Sequence, residues 1–286
     1  MNLKVALLGL GIMGSGMARQ LLAHGFAPTV WNRNLNKTAA LREAGAQVAD
    51  SPVEAVREAD VAIAMVASDV ASRNVWIDSG ALAAMKPNTI VIESSTLTID
   101  WSRELAAAAM AHALKILDAP VTGSKSQAQS GSLRFLVGGD AGVLERARPV
   151  IEAMGSFIHV GPQGSGTLLK LINNFVCGVQ VASFAEALAM IERSRLDVSQ
   201  AVEVLTAGAP GSPLVKTVAQ RMLERAYEPN FLVPLMAKDL AYAGAAFRAA
   251  GITSALAEAA RDRYLAAANA GFGQQDISAI VETLRK

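Results

Sequence analysis

The chain has 286 residues, of which 52% are hydrophobic and 18% charged, and its formal net charge is +1. This length suits one or two domains, and the hydrophobic share excludes intrinsic disorder, which requires low hydrophobicity and a high net charge. The near-neutral charge provides no basic excess for nucleic acid or an anionic membrane, so neither is expected as a partner.

The chain contains one cysteine, Cys177, and three histidines. A single cysteine cannot form an internal disulfide, and so few ligands disfavour a structural zinc site. The first residues lead directly into a strand-like run, without the apolar segment and cleavage site of a signal peptide. The contiguous apolar runs are also much shorter than a membrane span. We therefore expect a soluble protein of the reducing cytoplasm.

Up to about residue 162, short β-rich runs alternate with helical segments. The predicted strands are Lys4–Leu8, Pro28–Trp31, Val61–Met65, Thr89–Ile92, Lys115–Asp118, Ser132–Val137 and Phe157–Val160. The predicted helices between them are Met13–His24, Asn36–Ala44, Pro52–Glu58, Asp100–Ala113 and Ala141–Met154. Apolar strands separated by helices predict a buried parallel sheet covered on both faces, a doubly wound Rossmann-type α/β domain.

From Gly164 onward the pattern is helical only. The predicted helices are Gly166–Arg195, Val198–Thr206, Leu214–Arg225, Met236–Ala250, Ile252–Ala270 and Ile277–Lys286. The glycines and proline of the segment 161–164 mark the best domain boundary. We therefore expect an α/β domain over residues 1–162 and an all-α domain over 163–286, with a long helix between them.

The first predicted turn carries glycines at the spacing of a dinucleotide site. The motif lies between the first strand and the first helix, where G-x-G-x-x-G is meaningful. Its first glycine would allow the tight turn, its second the approach of a pyrophosphate, and its third the close packing of helix on strand. The residues predicted to bind the cofactor here are Gly9, Leu10, Gly11, Ile12, Met13 and Gly14. A tight turn without a ligand is the alternative.

The end of the second predicted strand bears on the choice of nucleotide. An acidic side chain there would hold a ribose 2′-hydroxyl, but the chain has Asn32 and Arg33, and no Asp or Glu between Gly25 and Ala40. A guanidinium can pair with a 2′-phosphate, which a carboxylate would repel. The sequence therefore favours NADP(H) over NAD(H), with a solvated arginine as the alternative.

A cofactor that carries hydride leaves the proton to the protein. None of His24, His112 and His159 lies beside a catalytic-looking turn, so we interpret all three as structural or surface residues. In the long predicted helix Lys170 and Asn174 share one face, because they are spaced i, i+4. Desolvation can lower the pKa of a lysine from about 10.4 towards the range of a proton donor. A lysine whose ammonium group reaches solvent at a domain edge is the other interpretation.

Four ordered motifs, spread over nearly the whole chain, resemble the β-hydroxyacid dehydrogenases. They are Gly9–Met17 with Asn32 and Arg33, Asp118–Gly123, Gly164–Asn174 and Lys238–Leu240. The resemblance implies hydride transfer between a nicotinamide cofactor and a small acid. It also implies a homodimer or homotetramer, and a role for the helical domain in substrate binding and oligomerisation.

The resemblance further implies roles for individual residues. By it, Lys170 is the catalytic lysine, Asn174 orients the substrate, and Thr122 and Gly123 bind the substrate carboxylate. Around the nicotinamide and the substrate it places Met65, Val66, Thr96 and Lys238 on the cofactor side, and Lys125, Phe231 and Asp239 on the substrate side.

Two positions depart from the family pattern. Thr122 replaces the usual serine, which keeps the hydroxyl, and Met65–Ser68 lacks a proline often found after that strand. The segment Gly123–Lys125 has no second glycine and resembles the branch that reduces glyoxylate and succinic semialdehyde with NADPH. Lys125 would add a positive charge near the substrate carboxylate, or be a solvated loop lysine. We therefore expect an NADPH-dependent reductase of glyoxylate or succinic semialdehyde, with Lys170 as the proton donor.

Other functions stay open. A 3-hydroxyisobutyrate or tartronate semialdehyde dehydrogenase or reductase would use the same site. Imine reductases share the two-domain layout but typically replace the lysine, so Lys170 argues against them. A decarboxylating enzyme of the phosphogluconate type would need a longer helical domain. A non-catalytic NADP-binding protein is the alternative of another class, and Lys170 with Asn174 disfavours it.

Overall fold

The computed structural model describes residues 3–285. The chain divides into two compact units, one ending at Lys170 and the other beginning at Leu171. This division falls inside the long helix α9 (Ser165–Glu192), beyond the expected boundary at residue 162.

The first unit is built on a nine-stranded sheet. Its strands are β1 (Val5–Leu8), β2 (Thr29–Trp31), β3 (Gln47–Val48), β4 (Val61–Ala64), β5 (Ile90–Glu93), β6 (Lys115–Asp118), β7 (Val121–Thr122), β8 (Leu133–Gly139) and β9 (Gly155–Gly161). The first six are parallel in the order β3-β2-β1-β4-β5-β6. All seven predicted strands are present, and the short β3 and β7 are additional.

The sheet is mixed, not wholly parallel as expected. β8 pairs antiparallel with β6 and β7, and parallel with β9. A parallel crossover needs about a dozen residues or more, and the connection 123–132 between β7 and β8 is shorter than that. Neighbouring strands joined by so short a segment therefore run in opposite directions.

Helices cover both faces of the sheet. In the first unit they are α1 (Ile12–Ala23), α2 (Ala39–Glu43), α3 (Pro52–Val56), α4 (Asp69–Arg73), α5 (Ala81–Ala84), α6 (Ile99–Ala111), α7 (Lys125–Ser130) and α8 (Ala141–Glu152). Side chains of α1 and α8 form one core, and those of α3 and α6 form the other. The strands β1, β4 and β5 are buried along their whole length, because both of their faces are covered.

Short helical segments account for most differences from the prediction. The expected helix Asn36–Ala44 is a 3₁₀ turn, Leu35–Thr38, followed by α2. The helices α4, α5 and α7 were not predicted, nor was the π-helical segment Asn74–Asp78. Segments of four to six residues show too little of a helical period to be recognised from apolar spacing.

The second unit is helical. It contains the rest of α9, then α10 (Val198–Ala207), α11 (Pro213–Glu224), α12 (Val233–Ala249) and α13 (Ala255–Ala267), a π segment Ala268–Phe272 and a 3₁₀ helix Ile277–Thr283. All the expected helices are present, except that the last is 3₁₀, and Lys286 lies outside the described residues. The helix expected from Ile252 begins at Ala255, because the Ser254 side chain accepts the Ala257 N–H at its N-terminus.

The helix α9 is long and apolar enough to cross a membrane, with a mean hydropathy of 1.5 in its most apolar 18-residue window. Half of that window is buried within the protein. The core helix of a soluble protein has the same length and composition, so this property is weak evidence for a membrane span. The sequence predicted this helix, but its contiguous apolar runs did not show a length sufficient to span a membrane, because Lys170, Asn173 and Asn174 interrupt them.

Candidate active site

The glycine-rich turn follows β1 directly. Gly9 has a φ of +98°, which favours glycine, and its N–H donates to the Trp31 carbonyl at 2.8 Å. A Cβ on Gly9 would lie 2.4 Å from the Met65 carbonyl oxygen, and one on Gly14 would lie 2.0 Å from the Gly9 carbonyl oxygen. The close packing of β1, α1 and the end of β4 therefore requires glycine at both positions.

Gly11 differs from these two glycines. Its φ of −74° is open to any residue, and a Cβ built on it would meet no protein atom within 4 Å. Gly11 is exposed at the N-terminus of α1, which has no side-chain cap. The backbone of Gly11 carries no side chain, and the N–H groups of the first turn of α1 have no side-chain cap. This arrangement is suited to the pyrophosphate of a dinucleotide, whose approach a side chain would block.

Asn32 supports this turn from the end of β2. Its Oδ1 accepts the Leu10 N–H at 2.8 Å, and its Nδ2 donates to the Asn34 carbonyl at 2.9 Å. Arg33, the next residue, is exposed and forms no hydrogen bond or ion pair with any of residues 3–285. The guanidinium predicted to select the nucleotide therefore has no competing protein partner among them.

A buried carboxylate that the sequence did not reveal as functional lies next to the loops expected to border the nicotinamide. Glu93 ends β5 and is 3% exposed; its Oε2 accepts the Ser72 hydroxyl at 2.6 Å and the Trp76 indole N–H at 2.8 Å. Its Oε1 accepts the Ser95 N–H at 2.9 Å, and the Ser95 hydroxyl accepts the Val66 N–H at 2.8 Å. Burial raises the pKa of the Glu93 carboxyl, against the hydrogen bonds that lower it.

Glu93 thereby ties together two loops that were expected to border the nicotinamide ribose. Met65 and Val66 follow β4, and Thr96, which is half-buried, lies in the loop after β5. A glutamate at the end of a strand was visible in the sequence, but its partners Trp76 and Ser72 lie 17 and 21 residues away and showed no recognisable spacing.

A second buried carboxylate, Asp118, ends β6. It is 1% exposed, and it accepts the N–H groups of Gly164 and Thr167 on separate oxygens, each at 2.7 Å. Burial raises the pKa of the Asp118 carboxyl, and the hydrogen bonds from Thr167 and Gly164 oppose that rise. Asp118 therefore holds the beginning of α9, the helix that carries Lys170.

The residues expected to bind the substrate carboxylate lie next to one another from the end of β7 to the start of α7. Thr122 is half-buried in β7, and the exposed Gly123 has a φ of +117°, which favours glycine. The Ser124 N–H donates to Gln127 Oε1 at 2.9 Å, which shapes the start of α7. Lys125 is the exposed first residue of that helix. This loop therefore presents a hydroxyl, a backbone N–H and an ammonium group within four consecutive residues.

Lys170 and Asn174 lie one turn apart on α9, where they are 9% and 2% exposed. The Asn174 amide nitrogen donates to Asp239 Oδ2 at 2.6 Å, and its Oδ1 accepts from Asn173 at 3.0 Å. Nζ of Lys238 forms an ion pair with Asp239 Oδ1 at 2.6 Å. The helical unit therefore links three of the predicted residues, Asn174, Asp239 and Lys238, in one polar chain.

The remaining candidates occupy separate places. Phe231 is half-buried against the core of the helical unit, and its N–H donates to the buried Asp276. The Lys238 ammonium lies 4.4 Å from the centre of the Tyr242 ring. His24 and His159 each contact a nearby backbone carbonyl, and His112 ends α6. Within residues 3–285, no group of three or more His, Cys, Asp or Glu side chains is arranged to hold a metal ion.

Comparison with known protein families matches both parts of the chain. Residues 4–161 match the NAD binding domain of 6-phosphogluconate dehydrogenase. Residues 164–284 match a family described as NAD-binding of NADP-dependent 3-hydroxyisobutyrate dehydrogenase.

Three relatives align over nearly the full length. A probable 3-hydroxyisobutyrate dehydrogenase of Mycobacterium tuberculosis is 37% identical, covering 98% of this chain and 97% of the relative. An NAD-dependent L-serine dehydrogenase of Pseudomonas aeruginosa is 34% identical, with coverages of 97% and 96%. Glyoxylate/succinic semialdehyde reductase 1 of Arabidopsis thaliana is 32% identical, covering 99% of both chains. The solved structure of the M. tuberculosis 3-hydroxyisobutyrate dehydrogenase with L-serine has a TM-score of 0.90 at 35% identity, covering 100% of both chains.

A dinucleotide turn after β1, followed by a helical domain, defines an NAD(P)-binding oxidoreductase. The chain belongs to the family of NAD(P)-dependent β-hydroxyacid dehydrogenases. The family predicted from the four motifs, the Rossmann-type fold followed by an all-α domain, and the assignment as an oxidoreductase are thus confirmed. The matched relatives include NAD-dependent and reductase members, so the family alone leaves nucleotide and substrate undetermined.

Gly11 can be substituted without a clash, unlike Gly9 and Gly14, so it allows a test of the cofactor site. We expect Gly11→Ala to keep the free energy of unfolding within about 0.5 kcal/mol, because the added methyl group meets no protein atom. Cofactor affinity should fall at least tenfold, because the methyl group stands where a pyrophosphate would approach. Urea denaturation and a fluorescence titration with NADPH measure the two effects.

Gly142→Ala is the control, since Gly142 lies at the start of another helix, α8, in the same unit, where a Cβ would lie 3.2 Å from Asp140 Oδ1. It should leave cofactor affinity unchanged. Unaltered NADPH binding in Gly11→Ala would show that the pyrophosphate does not approach this turn.

Proposed function

We propose that this protein reduces a small aldehyde acid, glyoxylate or succinic semialdehyde, with NADPH, and that Lys170 donates the proton. The observation that carries the proposal is the placement of Lys170, a nearly buried lysine one helical turn from the fixed amide of Asn174. When bound, NADPH supplies the hydride that reaches the aldehyde carbon.

Lys170 acts on the carbonyl oxygen. As negative charge develops on that oxygen, the Lys170 ammonium donates a proton to it, which gives the hydroxyl of the product. A site with little access to water strengthens the attraction between the ammonium and the developing alkoxide. In the opposite direction the neutral amine would accept the proton from the hydroxyl.

Asn174 orients the same oxygen. Its amide nitrogen carries two N–H groups, and Asp239 accepts one of them at 2.6 Å, which leaves the other for the substrate. The Asp239 carboxylate also determines which way the amide faces, because only the nitrogen end can donate to it. Lys238 offsets the negative charge of Asp239 from the other oxygen.

The loop after β7 holds the carboxylate of the substrate. The Thr122 hydroxyl and the Gly123 N–H are its donors, and the Lys125 ammonium adds a positive charge at the start of α7. The absence of a second glycine after Gly123, together with the relationship to the Arabidopsis reductase, favours glyoxylate or succinic semialdehyde.

Oxidation of 3-hydroxyisobutyrate or a related 3-hydroxy acid is the second candidate. It is favoured by the higher identity to the M. tuberculosis relative, whose solved structure contains L-serine. The same lysine and asparagine would serve this reaction, with Lys170 accepting the proton. An imine reductase and a non-catalytic NADP-binding protein are less well supported, since neither accounts for Lys170 beside Asn174.

A homodimer or homotetramer in the cytoplasm completes the proposal, with neither nucleic acid nor membrane as a partner. Apolar side chains on α9 support self-association, since Leu168, Leu169, Ile172 and Val176 are 38–46% exposed. A monomeric mass in light scattering would contradict it.

Steady-state rates with a panel of substrates distinguish the candidate functions. We expect kcat/KM for glyoxylate or succinic semialdehyde with NADPH to exceed, by at least tenfold, the value for a ketimine with NADPH and the values for 3-hydroxyisobutyrate and L-serine with NADP+ or NAD+. A preference for a 3-hydroxy acid would establish the second candidate instead. Cofactor binding without turnover of any of these compounds would support the non-catalytic alternative.

Removal of the Lys170 ammonium tests the proton donor. We expect Lys170→Met to lower kcat by about 10²–10⁴-fold, because general acid catalysis is lost while the apolar stem is kept. The dissociation constant of NADPH, measured by fluorescence, should change little. Lys216→Met, at an exposed position of α11, is the control and should retain full activity. Near-normal turnover in Lys170→Met would remove Lys170 from the mechanism.

Reversal of the charge at Arg33 tests the choice of nucleotide. We expect Arg33→Glu to weaken NADPH binding at least tenfold and NADH binding much less, because a carboxylate repels the 2′-phosphate. Arg57→Glu serves as the control, since Arg57 is an exposed arginine of the same unit at the end of α3. The two affinities come from fluorescence titrations, and an unchanged ratio between them would refute the assignment of NADPH.

A further inference from the structure

The carboxylate of Asp118 is enclosed between the end of β6 and the start of α9. Both of its oxygens accept backbone N–H groups at 2.7 Å, from Gly164 and Thr167. These groups belong to the start of α9, whose first N–H groups have no partners within the helix itself. Such charge-assisted hydrogen bonds are stronger and more directional than neutral ones.

Two glycines leave the space that this carboxylate fills. A Cβ on Gly138 of β8 would lie 2.3 Å from Asp118 Oδ1. A Cβ on Gly166 of α9 would lie 2.2 Å from the Leu136 carbonyl oxygen, 2.6 Å from the Asp118 carbonyl oxygen and 3.1 Å from Asp118 Oδ2. Neither glycine has a positive φ, so the close packing of Asp118, β8 and the start of α9, and not backbone conformation, accounts for the absence of a side chain.

The segment that follows Asp118 is held equally firmly. The Ala119 N–H donates to the Glu93 carbonyl at 2.8 Å, and the Pro120 carbonyl accepts the Leu136 N–H at 2.9 Å. Val121 and Thr122 then pair with β8. These hydrogen bonds fix the segment between Asp118 and Thr122, which lies four residues later and is expected to bind the substrate carboxylate.

We propose that Asp118 is a positioning residue for the proton donor. Through Gly164 and Thr167 it fastens the first turn of α9 to the end of β6, and so determines where Lys170 lies relative to Thr122 and Gly123. Lys170 follows Thr167 by three residues, less than one turn later. A displacement of about 1 Å at a catalytic group can cost 10²-fold in rate, so a loose first turn would slow proton transfer. The inference rests on the proposed role of Lys170.

Asp118→Asn tests this inference. Its carboxamide keeps one accepting oxygen but turns an NH₂ group towards the second backbone N–H, which then has no acceptor. We expect kcat to fall at least tenfold, while the dissociation constant of NADPH changes less than twofold and the substrate KM less than threefold. Hydrogen exchange of the peptide 164–170 should become faster, because its anchoring is weakened.

Asp140→Asn is the matched control. Asp140 caps α8 in the same unit by accepting the Val143 N–H at 2.9 Å, and α8 carries none of the proposed site residues. The same substitution there should leave kcat and the exchange of residues 164–170 unchanged. Each kcat is calculated per cofactor-binding site, so that unfolded protein in a preparation does not lower the value.

A double-mutant cycle with Lys170→Met decides whether Asp118 acts through Lys170. If it does, Asp118→Asn will lower kcat far less in the Lys170→Met background than in the parent protein, because the positioned group is already missing. Equal losses in the two backgrounds, or an unchanged kcat in the single variant, would overturn the positioning role and leave the proposed function intact. Near-normal turnover in Lys170→Met alone would overturn both.

A second variant keeps the test decisive if Asp118→Asn does not fold. Gly138→Ala places a methyl group 2.3 Å from Asp118 Oδ1, 2.8 Å from the Pro162 carbonyl oxygen and 2.9 Å from the Gly166 nitrogen, so it disturbs the contact between the carboxylate and the start of α9 without removing the carboxylate. In the same cycle it should reproduce the loss of kcat and the faster exchange of residues 164–170. Normal kcat in this variant, with the exchange accelerated, would contradict the positioning role.

Discussion

The position of the first turn of α9 depends on two hydrogen bonds to one buried carboxylate. Removing an aspartate from water is unfavourable, and Asp118 offsets that cost by accepting N–H groups of Gly164 and Thr167, which would otherwise have no partners within the helix. The bonds join a strand end to a helix start that lies 46 and 49 residues further along the chain. A carboxylate with two separate accepting oxygens can satisfy both groups at once.

A neighbouring strand, β5, also ends in a buried carboxylate. Glu93 and Asp118 are register partners at the carboxyl ends of the parallel strands β5 and β6. Glu93 accepts hydrogen bonds from Ser72, Trp76 and Ser95, while Asp118 accepts them from the start of α9. Ligands of open α/β sheets bind at the carboxyl ends of the strands, where the loops alone would be mobile. Buried carboxylates hold these loops in place by hydrogen bonds to distant residues.

The sequence predicted the elements whose signal is local. Seven strands and the long helices were recognised because apolar residues recur at the strand or helix period over their whole length. The short elements β3, β7, α4, α5 and α7 were missed, since a few residues carry no period and tertiary contacts stabilise them. The antiparallel direction of β8 was missed too, because it depends on β7, which the residue pattern did not reveal. The family was recognisable because its motifs are local and appear in order.

The sequence by itself therefore determined the two-part architecture, the family, the turn Gly9–Gly14 and the spacing of Lys170 and Asn174 on one helix. Each of these depends on residues close together in the chain. Only the tertiary structure showed which donors surround Glu93 and Asp118, that Asn174 and Lys238 meet at Asp239, and that Gly11 has no protein neighbour where Gly9 and Gly14 do. Most of these contacts join residues tens of positions apart, and a single sequence has no periodicity that encodes such distances.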